Sequence, residues 1–139
     1  MYKKILLAAD GSKHSLRAAD RAIALAKLTE NSIVEVVNVV DSKTSKADAL
    51  QQLDNFGVLE KRKERLKDTI NKATEAGITY EIKFLRGEPA PTIIEYANEN
   101  NFDVVVIGSR GLNGLQELML GSVSHKVAKG ANCPVMIVK

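Results

Sequence analysis

Tryptophan is absent from this chain, and the aromatic residues together make up only 4% of it. Proteins that grip RNA or single-stranded DNA stack the bases on aromatic rings, so a partner of that kind is disfavoured from the outset. Cysteine is nearly as scarce. Cys133 stands alone, which excludes an intramolecular disulfide and suits a reducing compartment. It precedes Pro134 and a strongly apolar segment, so a buried, inert thiol is expected. No hydrophobic run approaches the roughly 20 residues that a helix needs to cross a bilayer. The start, Met1-Tyr2-Lys3-Lys4-Ile5, runs into a strand-like segment without a cleavage pattern, and a cytoplasmic protein is the expectation. Charge of one sign is not in excess either: 20 basic residues face 17 acidic ones for a net +3, with the signs interspersed. That mixture gives solubility, not a basic groove. The one basic run, Lys61 to Lys67, would be splayed around a helix, and it reads as a solvated face.

What is present is aliphatic. Hydrophobic residues are 45% of 139, enough for one continuous core, and residues 1–139 read as a single domain. Ile5 to Ala9 is an uninterrupted apolar run, as in a strand covered on both faces. Asp10-Gly11-Ser12 breaks it, and Ser12 is placed to cap a helix reaching about Thr29, with His14 exposed in its first turn. Ile33 to Val40 is β-branched and predicts a second strand. After a polar loop at Asp41 to Lys46, helical spacing runs from about Ala49 to Ala76, with Gly57 as a suspected break and Gly77 as a C-cap. Ile78 to Phe84 alternates like an edge strand, and Pro89 sits in the first turn of a helix that ends by Asn101. Val104 to Ile107 predicts a buried fourth strand, Ser122 to about Lys129 a last helix, and Pro134 to Val138 a fifth strand. Strands alternating with helices predict an α/β fold: an open, mostly parallel five-stranded sheet with helices on both faces. The usual order for such a sheet is 3-2-1-4-5.

Ligands of open parallel sheets bind beyond the carboxyl ends of the strands, where the strand order reverses. Two loops there carry suitable residues, Ala9 to Ser12 and Gly108 to Ser122. Gly108, Gly111, Gly114 and Gly121 cluster within the second, in a chain with 9 glycines in all. Glycine lets a phosphate approach main-chain N–H groups, and Gly121-Ser122 opens a helix whose unpaired amides and positive dipole end favour an anion. The same glycines would also suit a plain surface loop with Ser122 as an ordinary cap, and composition does not choose between the two. Neither the GxxxxGK[ST] phosphate loop nor the dinucleotide GxGxxG is present.

The spacing Gly108-x2-Gly111-x9-Gly121-Ser122 resembles the glycine pattern of the ATP-binding branch of the universal stress protein family. The likeness extends to Ile5 through Ser12, to Val37-Asn38-Val39-Val40, to Gly121 through Ser124 and to Cys133-Pro134-Val135, in the same order along essentially the whole chain. Ala9 stands where many relatives have proline and Asn38 where many have histidine. The resemblance implies a Rossmann-like fold of the adenine nucleotide alpha hydrolase type, with ATP and Mg²⁺ as its ligands. It places Asp10 by the ribose and the metal-bound phosphates, Val39 with its backbone against the adenine, and Gly108 by the ribose. It wraps Gly111, Gly121, Ser122 and Val123 around the phosphates. Arg110 is added on chemistry alone: its guanidinium could pair with an outer phosphate or point into solvent.

A phosphotransferase needs a positioned base, a metal cage and a cationic group on the moving phosphate. Asp10 and Arg110 are the candidates on offer, and His14 and His125 read as surface residues. An ATP-dependent regulator with at most slow hydrolysis, acting on an unknown protein partner, is therefore expected ahead of an ATPase or kinase-like enzyme or a scaffold with a vestigial pocket. The apolar tetrad Val135, Met136, Ile137 and Val138 falls on an edge strand. Coverage by helices on both faces would account for it, and the resemblance implies a homodimer formed by antiparallel pairing of this strand.

Overall fold

The computed structural model describes residues 2–40, 55–110 and 121–139, with the backbone alone at 55–59. Five strands, β1 (Lys4–Ala8), β2 (Ile33–Val40), β3 (Tyr80–Arg86), β4 (Val104–Gly108) and β5 (Val135–Val138), form one sheet in the order β3-β2-β1-β4-β5. Every pairing is parallel. Ile5 to Leu7 and Val104 to Val106, in the central strands, are almost wholly shielded from solvent, which is why their sequences carry no alternation.

On one face lie α1 (Lys13–Lys27) and, following α2 (Asn55–Arg65) in the chain, α3 (Lys67–Ala76), and on the other α4 (Pro89–Glu99) with α5 (Ser122–Gly130). Helix α1 turns Ala18, Ala19, Ala22 and Ala26 toward the sheet, so small side chains let its backbone approach closely. Ser12 caps it as expected, its Oγ accepting the Ser15 N–H at 3.1 Å. Gly77 ends α3 in the left-handed conformation, φ +70°.

The single helix expected from about Ala49 to Ala76 is corrected. Among the described residues it is two helices that part at Leu66, whose amide is shared between the Arg62 and Lys63 carbonyls at 3.1 Å each. This tightening of the turn accompanies the full burial of the Leu66 side chain against the α1 alanines. Gly57 lies inside α2, while residues 49–54 and the loop at 41–46 lie outside the described residues. Strand β3 is shifted two residues beyond the expected Ile78 to Phe84, because its ladder with β2 continues until Arg86 stands opposite Val40. Cys133 is half-buried, and burial pushes its thiol above the usual value, which suits an unreactive group.

A polar contact sits within the second face. The Tyr96 hydroxyl donates to Glu35 Oε1, and Glu35 is 7% exposed. Burial, with the Glu35 carboxylate beside it, pushes the Tyr96 hydroxyl from 10.0 up to about 12. The neutral phenol is thus the form the fold favours. Its contribution is complete below pH 10 and is lost as pH rises through about 12. Tyr96→Phe strips a buried acceptor of its donor, and urea unfolding should show a loss of about 1–3 kcal/mol at neutral pH. It should also remove this part of the alkaline loss seen in the parent chain.

Candidate functional site

β1 ends at Ala8, and the chain turns through Asp10 and Gly11 into α1. Asp10 Oδ1 accepts the Ser12 N–H at 2.9 Å, and the Asp10 N–H donates to Ser15 Oγ at 3.1 Å, so two short polar side chains hold the turn. The final rung between β1 and β2 among the described residues runs from the Ala9 N–H to the Val37 carbonyl at 2.9 Å. In a continued parallel ladder the Ala9 carbonyl would next receive the Val39 N–H. It instead accepts Asn38 Nδ2 at 2.8 Å. The alternation of strand groups aims the Val39 N–H and carbonyl at the space β1 has vacated. A departure from the family pattern, Asn38, thus finishes the strand end with its side chain.

On the other side of the switch, β4 ends at Gly108, and Ser109 donates its N–H to the Val138 carbonyl at 2.7 Å. The Ser109 carbonyl accepts the Gly121 N–H at 2.7 Å and Ser124 Oγ at 3.0 Å, tying the start of α5 back to the end of β4. Helix α5 is capped by Gly121 with no side-chain acceptor. Helix geometry leaves the amides of Ser122, Val123 and Ser124 without intrahelical acceptors, at the positive end of the dipole.

These ends enclose a cavity of about 470 Å³, within the roughly 300–1,000 Å³ range of small-molecule sites. Asp10, Val39, Gly108, Arg110, Gly121, Ser122 and Val123 all line it. Gly111 lies outside the described residues. Arg110 is half-buried, with its Nε shielded from solvent and lacking a partner among the described residues. Val37, Pro89, Ile93 and Ile107 supply an apolar wall. The arrangement pairs a flat apolar slot beside unpaired strand groups with an amide-rich, cationic end suited to an anion.

Two glycines expected to leave room for phosphate have a different local reason to be glycine. A Cβ on Gly108 would stand 2.8 Å from the His14 carbonyl carbon and 2.9 Å from both its oxygen and its Cβ. A Cβ on Gly121 would stand 2.9 Å from the Ser109 carbonyl oxygen. Both positions are bare because main chain passes against main chain. The same closeness explains why His14, expected on the surface, is half-buried with its Nδ1 shielded, whereas His125 is exposed.

Sequence reasoning missed several wall residues. Ser109 and Ser124 carry no charge or periodicity to mark them. A solvated face was expected for Arg62 and Arg65; Arg62 is half-buried and Arg65 exposed, and both line the cavity, while Lys61, Lys63 and Glu64 are exposed and do not. Their i, i+3 spacing, which puts two side chains on one face of a helix, was the available signal.

The open parallel sheet, with this cavity at its switch point, defines a Rossmann-like α/β protein whose carboxyl edge holds a cavity of small-molecule size. The universal stress protein family model matches residues 1–139, and the chain belongs to that family. It is 39% identical to universal stress protein YxiE of Bacillus subtilis, over 100% of both chains. Among solved structures it is similar to hypothetical protein MJ0577, with a TM-score of 0.86 and 28% identity over 100% of this chain and 96% of that one. It also resembles a universal stress protein in complex with cAMP, with a TM-score of 0.77 and 27% identity over 99% and 97% of the two chains. The Archaeoglobus fulgidus universal stress protein in complex with dAMP gives a TM-score of 0.74 and 26% identity over 99% and 98%.

Proposed function

We propose that this chain is a single-domain, ATP-binding universal stress protein whose nucleotide occupancy regulates its contact with a protein partner, with at most slow hydrolysis. The observation that carries this reading is the junction, in one cavity, of the Val39 strand edge beyond the end of β1 with the glycine-capped start of α5. Relatives of similar fold hold cAMP and dAMP, which supports an adenine ligand. Val39 would meet the adenine edge through its backbone, while Asp10 and Gly108 would lie by the ribose. The amides of Gly111, Ser122 and Val123 would receive the phosphates, Gly121 would fix the loop behind them, and Arg110 would pair with an outer phosphate.

Among the described residues no group of three His, Cys, Asp or Glu could hold a metal ion. Mg²⁺ would therefore arrive with the nucleotide, screening the phosphate charge and meeting the protein at Asp10. The described cavity wall contains Asp10 as its carboxylate and no histidine, which supports a binder ahead of a phosphotransferase. No described helix is long and apolar enough to cross a membrane, and a cytoplasmic setting is part of the proposal.

Titration calorimetry with ATP, with and without Mg²⁺, tests the reading. The parent protein should bind ATP more tightly with the ion, and Asp10→Ala should lose that gain while still binding free ATP. No ATP binding by the parent protein rejects the proposal. Multiple-turnover phosphate release that disappears in Asp10→Ala would assign an ATPase instead.

A homodimer is part of the proposal. Among the described residues β5 pairs with β4 alone, and Met136 is 36% exposed, so helices do not cover the whole tetrad. Antiparallel pairing of Val135 to Val138 with a second copy would use the open edge. A monomeric mass by sedimentation at micromolar concentration excludes it.

A further inference from the structure

We infer that Arg62 and Arg65 form a second anion-binding pole that selects nucleotides carrying a chain of phosphates over monophosphates and cyclic monophosphates. This rests on the adenine-nucleotide reading above and adds residues and a selectivity to it. Among the described residues three guanidinium groups line the cavity, from Arg62, Arg65 and Arg110, with one carboxylate, that of Asp10. They are not in one place. Arg110 adjoins the start of α5, its Cα 3.4 Å from where a Gly121 Cβ would be, and α5 packs on one face of the sheet. Arg62 and Arg65 belong to α2, whose end leads into Leu66 in the core of the opposite face.

The α2 pole is held in position by the β1–α1 turn. Gly11 has φ +84°, and a Cβ there would stand 2.6 Å from the Arg65 carbonyl oxygen, so the end of α2 rests directly on the Asp10-Gly11 backbone. The end of α2 and the start of α5 thus bring cationic residues to one cavity from elements that belong to opposite faces of the sheet. One phosphate seated on the α5 amides and Arg110 does not extend to the second pole. A phosphate chain extending from the first pole past Asp10 meets it, and guanidinium is the side chain best matched to phosphate oxygens.

The test measures calorimetric affinities for ATP, AMP and inorganic tripolyphosphate at one ionic strength. It uses the parent protein, R62Q/R65Q and the control K61Q/K67Q, which removes equal charge from exposed residues outside the cavity. Each lost charge-assisted contact is expected to cost roughly tenfold, so R62Q/R65Q should weaken ATP and tripolyphosphate by about 100-fold and AMP by less than about threefold. K61Q/K67Q should leave all three within about twofold. Equal losses for ATP and AMP, no loss for either, or an equal effect of the control overturns the inference. If the parent protein binds neither nucleotide, the adenine reading fails. Tripolyphosphate binding that R62Q/R65Q abolishes would then still support the arginine pole, and its absence would overturn both.

Discussion

Gly121→Val is expected to weaken adenine-nucleotide binding by roughly 10- to 100-fold while leaving the chain folded. The Ser109 carbonyl oxygen is the reason. It accepts the Gly121 N–H at 2.7 Å and Ser124 Oγ at 3.0 Å, and a Cβ on residue 121 would come within 2.9 Å of it. A valine must push that carbonyl away or swing the start of α5 outward. Either movement turns the Ser122 and Val123 amides off their common centre and breaks the tie between β4 and α5. Overpacking of this kind costs typically 1–3 kcal/mol, and most of it should appear as lost affinity because the α5 start is part of the cavity wall. Calorimetric titration with ATP, beside circular dichroism to verify folding, measures both. Unchanged affinity would mean that the α5 start does not hold the ligand.

Gly108→Ala should have the larger effect on stability. The added methyl would meet the His14 carbonyl carbon at 2.8 Å and its oxygen and Cβ at 2.9 Å. These are parts of a helix backbone that also presents four buried alanines to the sheet, so α1 cannot retreat locally without loosening that contact. A loss of about 2–3 kcal/mol, at the upper end of overpacking costs, is expected in urea unfolding. Gly77→Ala is the comparison. Gly77 has φ +70° and nothing within 4 Å of a new Cβ, so it carries conformational strain alone, about 1–2 kcal/mol. If Gly108→Ala proves no worse than Gly77→Ala, the close approach of α1 to β4 is not what fixes a glycine at 108.

Particular elements show why the strands were legible and parts of the site were not. Apolar runs without alternation at Ile5 and Val104 mark strands shielded on both faces, and alternation at Tyr80 to Lys83 marks an edge, whereas β5, the other edge, is as apolar as the centre, so the order rested on the usual topology of such sheets. The break at Leu66 could not, because no glycine or proline signals it. It follows from a tertiary demand, a leucine drawn into the α1 layer. Loop glycines drew attention to Gly108 and Gly121, yet the backbone approaches that require them involve His14 and Ser109, residues distant in sequence or unremarkable in type. Arg62 and Arg65 were hidden by their neighbours. The charged run from Glu60 to Arg65 looks uniform along the chain, and only the placement of α2 sorts it into residues that line the cavity and residues that do not.

The wall of the cavity draws on Asp10, Val39, Arg65, Pro89 and Ser124, so it is stitched from segments spread over nearly the whole chain. No proteolytic fragment could carry the site, and an occupant that touches all of these segments would act as a clasp between the first and last thirds of the polypeptide. Occupancy should therefore be visible far from the ligand, as slower global opening and delayed cleavage throughout the chain.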